Sequence, residues 1–264
     1  MGTDAPTVAM TREDAQCGLA DEWRGRRISV CPPGFFSDRQ AWKCNLPDSL
    51  SGDEVPRIAD TLLDGVVFLY PTPEDAENHA RLGGTAFFIG KPIVINGEVT
   101  GAYCPYLVSN RHVVWSGGSP IARVNRVDGG KPDVIDLDQH QWIVHPDGDD
   151  LAVASVFRKV MIGIHRHSHI PTQQLLTRAM AQDYEVGIGD EVLMIGRFIN
   201  HQGRLHNQPA VRFGSISVMD RPISNSAIGQ DQLSYSVEMR SRTGFSGSPV
   251  AVYRTPNTVY ERAQ

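Results

Sequence analysis

The segment Thr243-Gly244-Phe245-Ser246-Gly247-Ser248-Pro249-Val250 holds a serine between two glycines, with a proline close behind. Those surroundings suit a nucleophile. Gly244 lets the backbone turn sharply and bring its N–H groups near a substrate carbonyl. Gly247 keeps the space behind the hydroxyl clear of a side chain, and the N–H groups of Gly244 and Ser246 can converge on one oxyanion. A serine hydroxyl also needs a base. Tyr106-Leu107-Val108-Ser109-Asn110-Arg111-His112-Val113-Val114 offers one, where an apolar strand ends in a short polar turn carrying the imidazole. A carboxylate that could fix the imidazole tautomer lies in Asp147-Gly148-Asp149-Asp150-Leu151-Ala152-Val153, where a polar turn delivers Asp150 to the mouth of an apolar strand. The order His112, Asp150, Ser246 is not that of the α/β-hydrolases, and Ser248 stands where their elbow motif needs its last glycine.

These segments resemble the trypsin-like (chymotrypsin-fold) serine proteases. They are closest in style to the bacterial and stress-protease branch, which lacks the disulfides of the digestive enzymes. Gly84-Thr85-Ala86-Phe87-Phe88-Ile89, Gly187-Ile188-Gly189-Asp190-Glu191-Val192 and Val211-Arg212-Phe213-Gly214-Ser215-Ile216 match as well, so the resemblance runs from around Asp60 to the end. It implies catalytic roles for His112, Asp150 and Ser246, and an oxyanion hole from the backbone of Gly244 and Ser246. It also implies a protein or peptide substrate and no cofactor. Asp149 is the alternative partner for the histidine, since aspartates in such turns are commonly turn-formers. The following Leu151-Ala152-Val153, which resembles the family's pattern, favours Asp150. The family usually has glycine where this chain has Ser248. Arg240 falls where the family often places the base of its specificity pocket, and a cation there would favour an acidic side chain on the substrate.

The implied fold is all-β, with two antiparallel six-stranded β-barrels. Residues 1–56 match nothing in the family and read as an N-terminal extension, poorly ordered or packed on the barrels. The first barrel is expected over 57–160 with His112 and Asp150, the interbarrel crossing over 161–182, and the second barrel over 183–264 with Ser246. Strand candidates in the first barrel are 66–70, 84–89, 106–113, 121–124, 141–144 and 151–157. Residues 71–82 read as an exposed loop and Asn96-Gly97 as a tight hairpin turn. The second barrel offers only 191–195, 210–218, 233–239 and 248–253. The second barrel is therefore expected to be short of strands. A piece of a longer protein is the preferred reading, with completion by another segment such as the N-terminal extension, or an incomplete and poorly active domain, as the alternatives. An open barrel would expose a strand edge that invites pairing.

Composition agrees. The 25 glycines and 17 prolines suit a turn-rich all-β chain, and the net charge of −5, without a basic block, gives no reason to expect nucleic acid. No apolar run is long enough for a membrane helix, and the N-terminus has no basic-then-apolar leader, so a cytoplasmic location is expected. Of the four cysteines, Cys17, Cys31, Cys44 and Cys104, none adjoins His112 or Ser246. Reduced thiols are the preferred reading and a partial disulfide set the alternative. His165-Arg166-His167-Ser168-His169 could place histidines on one strand face, but with no carboxylate or cysteine at ligand spacing it reads as a polar solvent-facing surface. His201 and His206 read as loop residues. Two functions remain: a serine endopeptidase, or a catalytically unused trypsin-like fold acting as a protein-binding module. An esterase would share the serine chemistry.

Overall fold

The computed structural model describes residues 58, 60–81, 83–197, 205–226, 229–239 and 244–253. The 1–56 extension, His201 and Arg240 lie outside the described residues. The chain is built almost wholly of strands: β1 (Val66–Tyr70), β2 (Thr85–Ile95), β3 (Glu98–Ser109), β4 (Ile121–Val124), β5 (Asp133–Ile135), β6 (Trp142–Val144), β7 (Ala152–Ser155) and β8 (Ile170–Pro171), then β9 (Glu191–Gly196), β10 (Ala210–Asn225), β11 (Gln230–Met239) and β12 (Val250–Val252). The first eight form one sheet in the order β5-β4-β1-β2-β3-β7-β6, with β8 added parallel to β2. The last four form a second sheet, β11-β10-β9-β12, all antiparallel. The two-sheet, all-β architecture is the expected one. The strand numbers differ from six and six: the described residues hold eight and four.

Alternation along the strands explains how the sheets join. On β2, Ala86 and Phe88 face one way and Phe87 and Ile89 the other, as the period of two requires. The first face closes the interior of the first sheet with Val67, Leu69, Leu107, Ala122, Val124 and Trp142. The second meets Tyr106, Val108 and Val153, and across them Leu193, Ile195 and Ala251 of the second sheet. Because both faces are covered, β1 is buried at every position, and its unbroken Val66-Val67-Phe68-Leu69-Tyr70 run is the sequence mark of such a strand. The β2–β3 hairpin turns at Asn96 and Gly97, whose φ values of 52° and 85° are those a two-residue type I′ turn demands.

Trp142 is the largest side chain in the first core. It is 2% exposed, and its indole N–H donates to the Pro120 carbonyl at 3.1 Å. Trp142→Ala should cost about 3–5 kcal/mol, from lost contacts and the cavity left behind. Urea unfolding followed by tyrosine and tryptophan fluorescence would read this as a lower midpoint.

Four local expectations are corrected. Residues 71–82 are not simply loop, because Pro73–Asn78 form a helix, α2, following a first short helix, α1 (Asp60–Asp64). Thr72 caps α2 by accepting from the Asp75 N–H at 3.1 Å, and Pro73 sits in its first turn, where a missing N–H costs nothing. The strand before His112 ends at Ser109, and His112–Ser116 coil into a π-helical turn. The histidine run is not a solvent face. His165 is buried; its Nδ1 accepts from the Met161 N–H at 2.9 Å, which leaves Nε2–H to donate to Asp133 at 3.0 Å. His169 stacks against Tyr103, and burial, helped by the neighbouring His167, holds its imidazole below its usual range. Finally, Cys104 is disulfide-bonded, not a reduced thiol as the disulfide-free branch would have it, and its partner lies outside the described residues. Nothing in spacing alone could have paired it.

Candidate active site

Strand register brings the histidine and the acid together. β3 and β7 are antiparallel with Ser109 opposite Ala152. The chain leaving β3 toward His112 and the chain entering β7 from Asp150 therefore emerge at the same end of the sheet. Asn110 ties the two segments by donating from its side-chain amide to the Asp150 carbonyl at 2.8 Å. Asp150 is buried, and its carboxylate takes two bonds from His112: Oδ1 from the backbone N–H at 2.8 Å and Oδ2 from Nδ1 at 2.6 Å. Asp149 points elsewhere, its Oδ2 lying 3.8 Å from Nδ1 of His145. Of the two aspartates, Asp150 is the one bonded to His112.

This pairing sets the tautomer and the basicity of His112. With Nδ1–H committed to the carboxylate, Nε2 is the nitrogen free to accept a proton. The bond to Asp150 raises the imidazole above its ordinary range; partial burial opposes this, and the charge of Asp150 adds to it. The acid is braced in turn from the second sheet, since the Asp150 N–H donates to Oε1 of Gln232, on β11, at 3.2 Å.

The serine arrives from the other side. β12 pairs with β9 in the register Val250 to Met194, so the segment just before it, Gly244 to Pro249, is held over the sheet junction. Phe245 anchors the segment: it is buried, and the Arg212 guanidinium sits 4.9 Å above its ring. Ser246, next along, is exposed. Its carbonyl accepts from the Thr85 N–H at 2.8 Å, which fastens the loop to the first residue of β2. Gly247 has φ of +85°, and a Cβ there would stand 2.0 Å from the Thr85 carbonyl oxygen, so only glycine fits. Ser248, at the position where a glycine is usual, has a buried hydroxyl with no hydrogen-bond partner among the described residues.

Of the residues singled out from sequence, His112 and Asp150 are joined directly. Ser246 belongs to the same junction, but no hydrogen bond links its hydroxyl to His112 among the described residues. The N–H groups of Gly244 and Ser246 donate no hydrogen bond there either. An inter-sheet cavity of about 280 Å³ is bordered by Asn110, Asp150, Gly247 and Pro249 but not by His112 or Ser246; it is space between the sheets and not the place where a scissile bond would lie. The roles of Thr85 and Gln232 had no sequence signal beyond the match of the Thr85 segment, since each is defined by a partner on the other sheet.

No family model and no curated protein matches the sequence. Among solved structures, the chain is similar to the MamO protease domain from Magnetospirillum magneticum, with 17% identity, 73% of this chain and 80% of that one covered, and a TM-score of 0.47. It is also similar to Deg5, with 15% identity, 73% and 76% covered, and a TM-score of 0.42. The HtrA-type protease AlgW with decapeptide matches at 16% identity, 73% and 54% covered, and a TM-score of 0.38. The fold itself is all-β, two curled sheets that are antiparallel throughout except for β8. What chemistry that fold performs here rests on the residues at the junction.

Proposed function

We propose that the chain is a serine endopeptidase in which Ser246 is the nucleophile, His112 the general base and then general acid, and Asp150 the group that orients the imidazole. The observation that carries this reading is the 2.6 Å bond from His112 Nδ1 to the buried Asp150 carboxylate, which leaves Nε2 as the basic nitrogen; Ser246 is exposed on a loop fastened to the start of β2. The Ser246 oxygen forms a bond to the scissile carbonyl carbon as its proton passes to His112 Nε2. The resulting oxyanion is met by the N–H groups of Gly244 and Ser246. Collapse breaks the carbon–nitrogen bond, and His112 gives its proton to the leaving amine. Water, deprotonated by the same imidazole, then releases the acyl group and restores the serine. No step needs a metal or an organic cofactor. A protein or peptide is the proposed substrate, and a cytoplasmic, bacterial setting remains part of the same proposal.

The second reading is a protein-binding module on the same fold, and it is favoured by one observation: the missing hydrogen bond between His112 and Ser246. Apo enzymes commonly show such bonds long or misaligned until substrate closes them, so the catalytic reading is preferred. Labelling with a fluorophosphonate separates the two. The parent chain should label and Ser246→Ala should not; a parent chain that stays unlabelled would leave the binding module. Peptide and ester substrates compared side by side would then distinguish a peptidase from an esterase.

A further inference from the structure

Thr85 opens β2 and is fully buried, yet most of its polar atoms are turned toward the serine loop. Its N–H donates to the Ser246 carbonyl at 2.8 Å, and its Oγ1 donates to the Gly244 carbonyl at 2.8 Å. The same hydroxyl accepts from the Arg197 N–H at 3.2 Å, at the end of β9. An amide N–H can only donate, so the single hydroxyl proton is directed to Gly244 and the arrangement has one sense. The Thr85 carbonyl is held by the Ser109 hydroxyl at 2.7 Å and lies against Gly247. One residue of the first sheet thus grips the carbonyls on both sides of Phe245-Ser246. Peptide units are planar. Pinning these two carbonyls therefore restricts rotation of the amide between them, which carries the Ser246 N–H.

We infer that Thr85 is a positioning residue: by holding the Gly244 and Ser246 carbonyls it aims the Ser246 hydroxyl and N–H at the reacting carbonyl. The inference rests on the serine-nucleophile reading above and deepens it. A displacement near 1 Å at a reacting group can cost about 100-fold in rate. That leverage separates this role from ordinary packing.

Thr85→Val keeps the shape and removes the hydroxyl. It is expected to slow fluorophosphonate labelling and to lower kcat on a peptide substrate by roughly 10–100-fold, with KM changed by less than about twofold. Labelling should still reach one probe per chain, only more slowly, and the acid limb of the pH profile should stay in place because His112 and Asp150 are untouched. Thr85→Ser should restore most of the rate. A purely structural role would instead reduce the number of sites that label and leave the rate per folded site unchanged; that result overturns the inference. If Thr85→Val does not fold, Ser109→Ala, which frees the Thr85 carbonyl, should label several-fold more slowly, by the same positional sensitivity, and a parent-like rate there overturns the inference equally. The two readings fail differently. A parent chain that never labels removes the serine nucleophile and this role with it. A parent chain that labels, beside a Thr85→Val variant that labels just as fast, removes only the role of Thr85.

Discussion

Asp150→Asn is expected to lower kcat by roughly 10⁴-fold, the cost when an asparagine in this position holds the imidazole in the wrong tautomer. The geometry specifies why. The Asp150 carboxylate accepts from His112 twice, at its backbone N–H and at Nδ1. An amide can present its oxygen to only one of them and must turn its NH₂ to the other, so either the backbone bond or the ring tautomer is lost. The pH dependence supplies a second reading of the same variant. In the proposed mechanism His112 must be neutral to accept the serine proton, so the rate is expected to fall as pH drops through its pKa. In the parent chain that pKa is raised, first by the Asp150 bond and then by the Asp150 charge, against the opposing effect of burial. The acid limb should therefore lie above the ordinary imidazole value of about 6.5. In Asp150→Asn both raising causes disappear while burial stays, so the limb should move to lower pH even as the plateau collapses. A kcat/KM profile measured from acid to neutral pH would show it. A limb that does not move would mean the Asp150 bond does not govern the base.

Gly247→Ala carries the second large effect. The position has φ of +85°, which costs a side-chain-bearing residue about 1–3 kcal/mol, and the new methyl would lie 2.0 Å from the Thr85 carbonyl and 2.4 Å from the Ser109 hydroxyl. The backbone oxygen belongs to β2 and cannot swing aside as a flexible side chain could, so the loop itself must move. That movement breaks the bond from the Thr85 N–H to the Ser246 carbonyl and carries the serine with it. Fluorophosphonate labelling should drop by about 100-fold or more, while the melting temperature falls by only a few degrees, in keeping with the strain. Labelling at the parent rate would show that the serine loop is not held where the contact places it.

Much of the fold was legible along the chain. Val66 to Tyr70 reads as a strand because a five-residue apolar run is too short for a helix and is rich in β-branched and aromatic residues. Asn96-Gly97 reads as a hairpin because both residues tolerate positive φ. Polar turns feeding apolar runs marked His112 and Asp150, and flanking glycines marked Ser246. The helix over Pro73–Asn78 was legible in principle from Thr72-Pro73, a cap followed by a first-turn proline, but the surrounding polar residues masked it as loop. The buried His165 was not legible, because its partner Asp133 reaches it from β5, 32 positions earlier in the chain.

The amino-acid order by itself determined most of the strand segments and the supply of one imidazole, one serine loop and two adjacent candidate carboxylates, because those properties follow from side-chain type and local pattern. Tertiary structure alone decided that Asp150 and not Asp149 meets His112, that Gln232 braces the acid from the opposite sheet, and that Thr85 grips the serine loop. Each of these depends on which strand ends lie side by side, and that is set by sheet register and by packing between residues far apart in the chain, where no local pattern carries the information.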